Sequence, residues 1–203
     1  MLYKLAHIIK ERFSFMWDIV EWGNATLFKI THKKKLDELN TILKPISKEY
    51  CFRVATTDDL NQLVTFFEEQ PTEAFTFFKP HRFDLQSLKK VLLNQAFLTF
   101  IVIKPDKKYS ENGIIVGYFF LRCFINGKCF LGKIVHKDWQ GKGIAKIMGI
   151  AMTTVSKYLG MRMFGSISPE NYASLASAKA SNDIKVHNIL DNGYYYIEFL
   201  PKK

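Results

Sequence analysis

Apolar residues along the first part of the chain fall at Leu2, Leu5, Ile8, Ile9, Phe13, Met16, Ile19 and Val20. That is helical spacing, with Lys4, Lys10 and Arg12 off the stripe, and it predicts a basic amphipathic helix over residues 1–22. Leu36, Leu39, Ile42 and Leu43 share one face of a second, short helix over Lys35–Leu43, stopped by Pro45. Beyond a boundary near Ser47–Glu49 the texture changes. "YCFRVAT" alternates as a strand, and "TDDLNQLVTFFEEQ" follows as a helix capped by Thr57 or Asp58. An aromatic loop, "PTEAFTFFKPHRF", is interrupted by Pro71 and Pro80, and "DLQSLKKVLLNQ" is a helix capped by Asp84. Three strand-like runs come next, "FLTFIVIK", "GIIVGYFFLRCF" and "KCFLGKIVH". The last two are joined at Asn126–Gly127, a hairpin signal in which both turn positions are expected at positive φ. A helix over Ile144–Tyr158 ends at Gly160, "MRMFGSIS" is a strand, and "PENYASLASAKA" is a helix with Pro169 near its start. A second hairpin, turning at Asn192–Gly193, closes the chain. The order predicts an α/β fold: a mixed, mostly antiparallel central sheet flanked by helices, with an N-terminal helical extension. We divide the chain into that extension, residues 1–48, and a domain over residues 49–203.

Composition narrows the picture without changing it. Hydrophobic residues make up 48% of the 203, which suits a globular chain with a full core. The 18 phenylalanines favour a sheet-rich one. The three cysteines, Cys51, Cys123 and Cys129, are odd in number and lack metal-ligand spacing. They are expected as reduced thiols in a cytoplasmic protein, Cys123 facing Cys129 across the hairpin, and no metal site is expected. The net charge of +10 favours anionic partners, but the lysines are dispersed and no nucleic-acid reader motif accompanies them, so nucleic acid is not an expected partner. No apolar run has transmembrane length, and the first residues lack a signal-peptide pattern. The helix over residues 1–22 either packs its stripe on the domain or on a second subunit as a homodimer contact, or lies on a membrane surface.

The stretch "IVHKDWQGKGIAK" carries the candidate chemistry: a strand, a polar break, and two glycines opening a helix. The first turn of a helix leaves backbone N–H groups without partners and carries partial positive charge. Glycines let an anion approach that backbone, so the pattern suits a phosphate group, with Gln140 and Lys142 adding donors. A tight strand-to-helix turn would show the same glycines. Neither a Walker loop nor the dinucleotide fingerprint fits the spacing.

The stretch resembles the pyrophosphate-binding motif of the GNAT superfamily of acyl-CoA-dependent N-acyltransferases. That motif, Gln/Arg-x-x-Gly-x-Gly/Ala, reads here as Gln140, Gly143 and Ala145. "ISPENYASLASAK" resembles the family's second CoA-contacting element, and the likeness covers about residues 50–203 in element order. The resemblance implies a GNAT-like fold and acetyl-CoA as acyl donor. It also implies that backbone groups of Ile134 and Val135 pair with the pantetheine arm. The N–H groups of Gly141, Lys142, Gly143, Ile144 and Ala145, with the Gln140 side chain, would hold the pyrophosphate. Asn171 and Ser174 would contact the pantetheine or acyl end. Many relatives carry a tyrosine seven residues after the asparagine, where it protonates the leaving thiolate; here that position is Ala178. Another donor acts, solvent assists, or the protein binds CoA without turnover. Tyr172 is either that donor or a packed aromatic.

On the acceptor side the resemblance points to Pro71–Phe83 and the stretch around His187–Tyr196. His81 either takes the amine proton as general base, its ordinary pKa lying near neutrality, or caps the next helix among aromatics. His136 is expected to be structural. The function implied is direct acetyl transfer from acetyl-CoA to the primary amine of a small molecule. "FFKPHRFDLQSL" and "GYFFLRCFINGKCFLGKIV" are similar to acyltransferases found among bacterial surface-polysaccharide enzymes, which suggests an amino sugar or nucleotide amino sugar. The alternatives are a non-catalytic acyl-CoA-binding module and a protein or peptide N-acetyltransferase.

Overall fold

The computed structural model describes residues 14–105 and 113–202, with the side chains of residues 18–105 and 113–202. A single sheet of seven strands runs through the molecule in the order β1-β2-β3-β4-β5-β7-β6. The strands are β1 (Cys51–Val54), β2 (Phe97–Lys104), β3 (Ile114–Phe124), β4 (Lys128–Val135), β5 (Arg162–Ile167), β6 (Asn182–Ile189) and β7 (Tyr195–Pro201). The helices are α1 (Ser14–Asp37), α2 (Leu39–Leu43), α3 (Leu60–Glu68), α4 (Leu85–Leu93), α5 (Ile144–Leu159) and α6 (Tyr172–Ser181). Every pairing is antiparallel except β4 with β5.

Both faces of the sheet are covered, and the strand sequences show it. β2 is buried along nearly its whole length because its alternate residues enter two cores. Leu98, Phe100 and Val102 join Phe28, Leu39, Leu43, Met148 and Met152 on the face of α1, α2 and α5. Phe97, Ile101 and Ile103 join Leu63, Phe67 and Leu88 on the face of α3 and α4. Thus Leu39 and Leu43, which precede the expected boundary, belong to the same core as the sheet.

The N-terminal helices differ from expectation. The stripe over residues 1–22 lies mostly outside the described residues. Within them one helix runs unbroken through Asp37, across Gly23 and the polar stretch after it. Its intrinsic propensity there is poor, and packing supplies what propensity lacks. Phe28 is fully buried, and the Asn24 side chain donates to the Cys123 carbonyl and accepts from the Ile125 N–H. Ile19, Val20, Trp22, Leu27 and Ile30 remain exposed.

Two local expectations are also corrected. The cap of the first domain helix is Thr56, whose N–H and hydroxyl both donate to Asp59 Oδ2, rather than Thr57 or Asp58. At both hairpins only the glycine has positive φ, Gly127 at 77° and Gly193 at 80°, so Asn126 and Asn192 keep ordinary backbone. The first turn is therefore a three-residue connection ending in a left-handed glycine, with Gly127 N–H donating to Phe124, and in the second, the five residues 190–194, Gly193 N–H donates to Leu190. The loop length sets the register Cys123↔Cys129, and both thiols are buried and free.

The parallel ladder between β4 and β5 decides where a ligand fits. It consists of Lys128↔Arg162, Cys129↔Met163 and Phe130↔Phe164, and then ends. From Leu131 onward β4 keeps only β3 as a neighbour, while β5 continues against β7. The sheet opens into a wedge between the C-terminal ends of β4 and β5.

Candidate acyl-CoA site

The hairpin register fixes which backbone groups of β4 face the wedge. His136 N–H donates to the Val116 carbonyl, so His136, Ile134 and Gly132 are bonded to β3. Leu131, Lys133 and Val135 therefore turn their N–H and C=O groups to the open edge. Of the two strand residues assigned from sequence, the structure brings Val135 to that edge and commits the backbone of Ile134 to β3.

At the end of β4 the chain is pinned by the end of α3. His136 Nε2–H donates to Glu69 at 3.0 Å while its Nδ1 accepts the Asp138 N–H. The Lys137 N–H donates to the buried Gln70 side chain. His136 is thus a strut that sets the exit angle of the strand. The loop that follows carries Gly141 and Gly143 at φ 76° each, Gly143 serving as N-cap of α5. A Cβ at either glycine would meet nothing within 4 Å, so the requirement is conformational, not steric. The first turn of α5 holds no acidic side chain, and nothing on the helix itself neutralises its positive end. Gln140 Nε2 reaches the Val135 carbonyl at 3.5 Å. Lys142 folds back over the Trp139 ring and donates to the Asp138 carbonyl. Ile144 is buried in the core, anchoring the turn whose amide groups are exposed.

Beside this loop lies a cavity of about 470 Å³ between β4, β5, α5 and α6. Lys133 connects the two features, since it lines the cavity and donates to the Ala145 carbonyl in the first turn of α5. Asn171 and Ser174 also line it, and Asn171 Oδ1 accepts the Ser174 N–H as the cap of α6. Ala178 is buried in its wall. Gly149 permits α5 and α6 to touch, because a Cβ there would lie 2.1 Å from Ser181 Oγ and 2.5 Å from its Cβ. Gly149→Ala is expected to cost about 1–3 kcal/mol of stability, as overpacking does. Urea unfolding would read the loss, and Ser181→Gly in the same chain is expected to recover most of it.

The two side chains considered for proton transfer lie elsewhere. His81 Nδ1–H donates to the Arg82 carbonyl, so its Nε2 accepts the Tyr118 hydroxyl at 2.7 Å. Burial lowers its pKa, and its ring is packed among Phe67, Phe83 and Phe97. His81 does not line the cavity, although its neighbours Phe77, Phe78, Lys79 and Pro80 do. Tyr172 is 77% exposed and stands outside the cavity too. What the sequence reading missed is Lys133. Its signal was a lysine at an inward position of an otherwise apolar strand, in phase with Leu131 and Val135.

An open β4 edge, a glycine turn on a helix N-terminus and a β4–β5 wedge are the fold of the GNAT acetyltransferases, and the chain has that fold. It is similar to the GNAT domain of PAT from S. lividans, with a TM-score of 0.59 and 16% identity, over 73% of this chain and 88% of that one. It is likewise similar to the PaiA N-acetyltransferase of Thermoplasma acidophilum in complex with coenzyme A (TM-score 0.60, 14% identity, 74% of this chain and 98% of that one). A third neighbour is AAC(6')-Ib in complex with paromomycin and acetyl-CoA, with a TM-score of 0.58, 13% identity, and coverage of 76% and 94%. No family sequence model matches the chain, and no curated protein sequence does. Among the described residues no group of histidine, cysteine and carboxylate side chains is arranged to hold a metal, and no helix is long and apolar enough to cross a membrane.

Proposed function

We propose that this protein is an acetyl-CoA-dependent N-acetyltransferase that passes the acetyl group directly to the primary amine of a small molecule. The observation that carries this reading is the continuity of three features. The unpaired edge of β4 runs into a turn of left-handed glycines on a helix whose first turn holds no acidic side chain, and Leu131 and Lys133 of that edge line a cavity shared with Asn171 and Ala178. Free backbone groups along the strand suit the amides of a pantetheine arm, and the exposed amides of Gly141–Ala145 suit a pyrophosphate. The N–H groups of Lys133 and Val135, turned to the open edge, would hold a developing oxyanion. Two of the neighbours are seen with coenzyme A or acetyl-CoA, which agrees with this donor.

The acceptor side of the cavity supports an amino sugar, free or nucleotide-linked. Phe77, Phe78, Phe120 and Phe130 offer flat apolar faces, and Lys79 and Arg122 stand among them as cations for phosphate. Arg122 is held by an ion pair to Glu21 of α1. A non-catalytic acyl-CoA-binding module is the second reading, favoured by one observation: Ala178 offers no proton to a leaving thiolate.

Calorimetric titration with acetyl-CoA tests the donor site, and thiol release against amino sugars, nucleotide amino sugars, polyamines and peptides tests the reaction. Binding with release that depends on an amino sugar is the expected result. No binding at millimolar acetyl-CoA would remove the reading. Binding without release from any of the amines would favour the module.

A further inference from the structure

Lys133 is a half-buried ammonium with no ion-pair partner among the described residues. Its Nζ donates to the Ala145 carbonyl and to Ser177 Oγ, both at 2.7 Å, and among the described residues no carboxylate lies within ion-pair distance. The residues it meets are uncharged on every side: Ala145 and Gly149 on α5, Ser177 on α6, and Phe119 across β3. An ammonium has three donors, and the protein uses two of them. A cation drawn partly out of water without a counter-charge is costly, and an anion that arrives with a ligand would offset that cost. Burial holds the pKa of Lys133 down to about 8, no higher than that of a cysteine thiol and below that of a simple alkyl thiol.

We infer that Lys133 protonates the thiolate that leaves when the acetyl group is transferred, a role that rests on the acyl-CoA reading of the cavity. The acceptor amine forms a C–N bond to the thioester carbonyl carbon, the C–S bond breaks, and its electron pair goes to sulfur. A proton passes from Nζ to sulfur, leaving coenzyme A as the free thiol and the lysine neutral. The new amide nitrogen gives its extra proton to water, and Lys133 takes one back from water once the thiol has left. A donor that binds its proton less tightly than the departing thiolate does suits such a transfer near neutral pH. Ser177 and the Ala145 carbonyl orient the donor, and the small side chain of Ala178 leaves the wall beside it open. Tyr194, in the turn between β6 and β7, also lines the cavity and has a hydroxyl proton to give.

The test uses the full chain and coenzyme A, and needs no acceptor. The near-ultraviolet absorbance of the bound thiolate is titrated with pH, as a difference against the complex with desulfo-coenzyme A. The bound thiol is expected to be roughly tenfold or more as acidic in the wild type as in Lys133→Met or Lys133→Gln, because a nearby cation favours the thiolate. Tyr194→Phe is expected to leave the thiol acidity unchanged. Equal acidity in the wild type and both lysine variants would overturn the role, as would a change produced by Tyr194→Phe alone. Loss of coenzyme A binding in both folded lysine variants would assign Lys133 to holding the ligand and overturn its role as acid. If calorimetry shows that the wild type does not bind coenzyme A, the acyl-CoA reading of the cavity itself fails, and this role with it.

Discussion

Replacing Gly141 and Gly143 together by alanine is expected to weaken coenzyme A binding by about a hundredfold. Each residue has φ 76°, where an L side chain costs roughly 1–2 kcal/mol. Two such costs, about 3 kcal/mol together, correspond to that loss of affinity. The cost falls on binding because no neighbouring atom lies against either position to hold the turn in shape. Without the ligand the altered loop relaxes to ordinary backbone, and its amides no longer converge. Calorimetric titration should therefore show the loss while the melting temperature of the free protein changes little. Unchanged affinity in a folded double variant would mean that the direction of these amides is irrelevant to the ligand.

Asp59→Ala is expected to remove about 3 kcal/mol of stability, the lower end of what breaking a buried ion pair costs. Asp59 is 5% exposed and accepts two hydrogen bonds from the Arg53 guanidinium, at 2.6 and 2.7 Å, as well as those from Thr56. It joins β1 to the start of α3, so the variant leaves a half-buried guanidinium unpaired and uncaps the helix together. For a chain of this size the melting temperature should fall by roughly 10 °C. Burial by itself would raise the pKa of Asp59, but Arg53 and Thr56 outweigh it and hold the carboxyl below its ordinary value. A lowered folded value means that the contribution is complete above the ordinary carboxylate range and disappears as pH falls through the folded value. The difference between wild type and Asp59→Ala should accordingly shrink in strong acid. Glu198 is lowered further, to about 2, by the hydrogen bond from Arg162 and then that from His187, so its contribution outlasts that of most carboxylates on acidification.

The order of elements from β1 to β7 was readable because each strand and helix keeps its own period of apolar residues. The caps and turns were readable only in kind. Thr56 captures Asp59 three residues on, and this competition among Thr56, Thr57 and Asp58 is settled by which side chain the backbone of the following turn can reach. Helix α1 was hidden because Gly23, Asn24 and Thr26 argue against helix, while the contacts that favour it, Asn24 to Cys123 and Phe28 to the core, come from residues far along the chain. At the site, the glycine turn and Asn171 were legible as local chemistry. Whether Ile134 or Val135 offers its backbone to a ligand depends on a parity set by the three-residue turn at Ile125–Gly127. Lys133 stands in phase with the apolar Leu131 and Val135, which marks it as inward-facing, but what its ammonium meets is set by the docking of α5 and α6.

The short ladder between β4 and β5 also has an evolutionary meaning. Only three residue pairs of the backbone ladder join the half of the sheet that carries the glycine turn to the half made of β5, β7 and β6. Changes in the β6–β7 hairpin can accumulate at little expense to the geometry of the other half. Exchanging the segment from β6 through β7, which brings Asn182, Tyr194 and Phe199 to the cavity, is thus a way to alter one wall of the pocket while the glycine turn stays as it is.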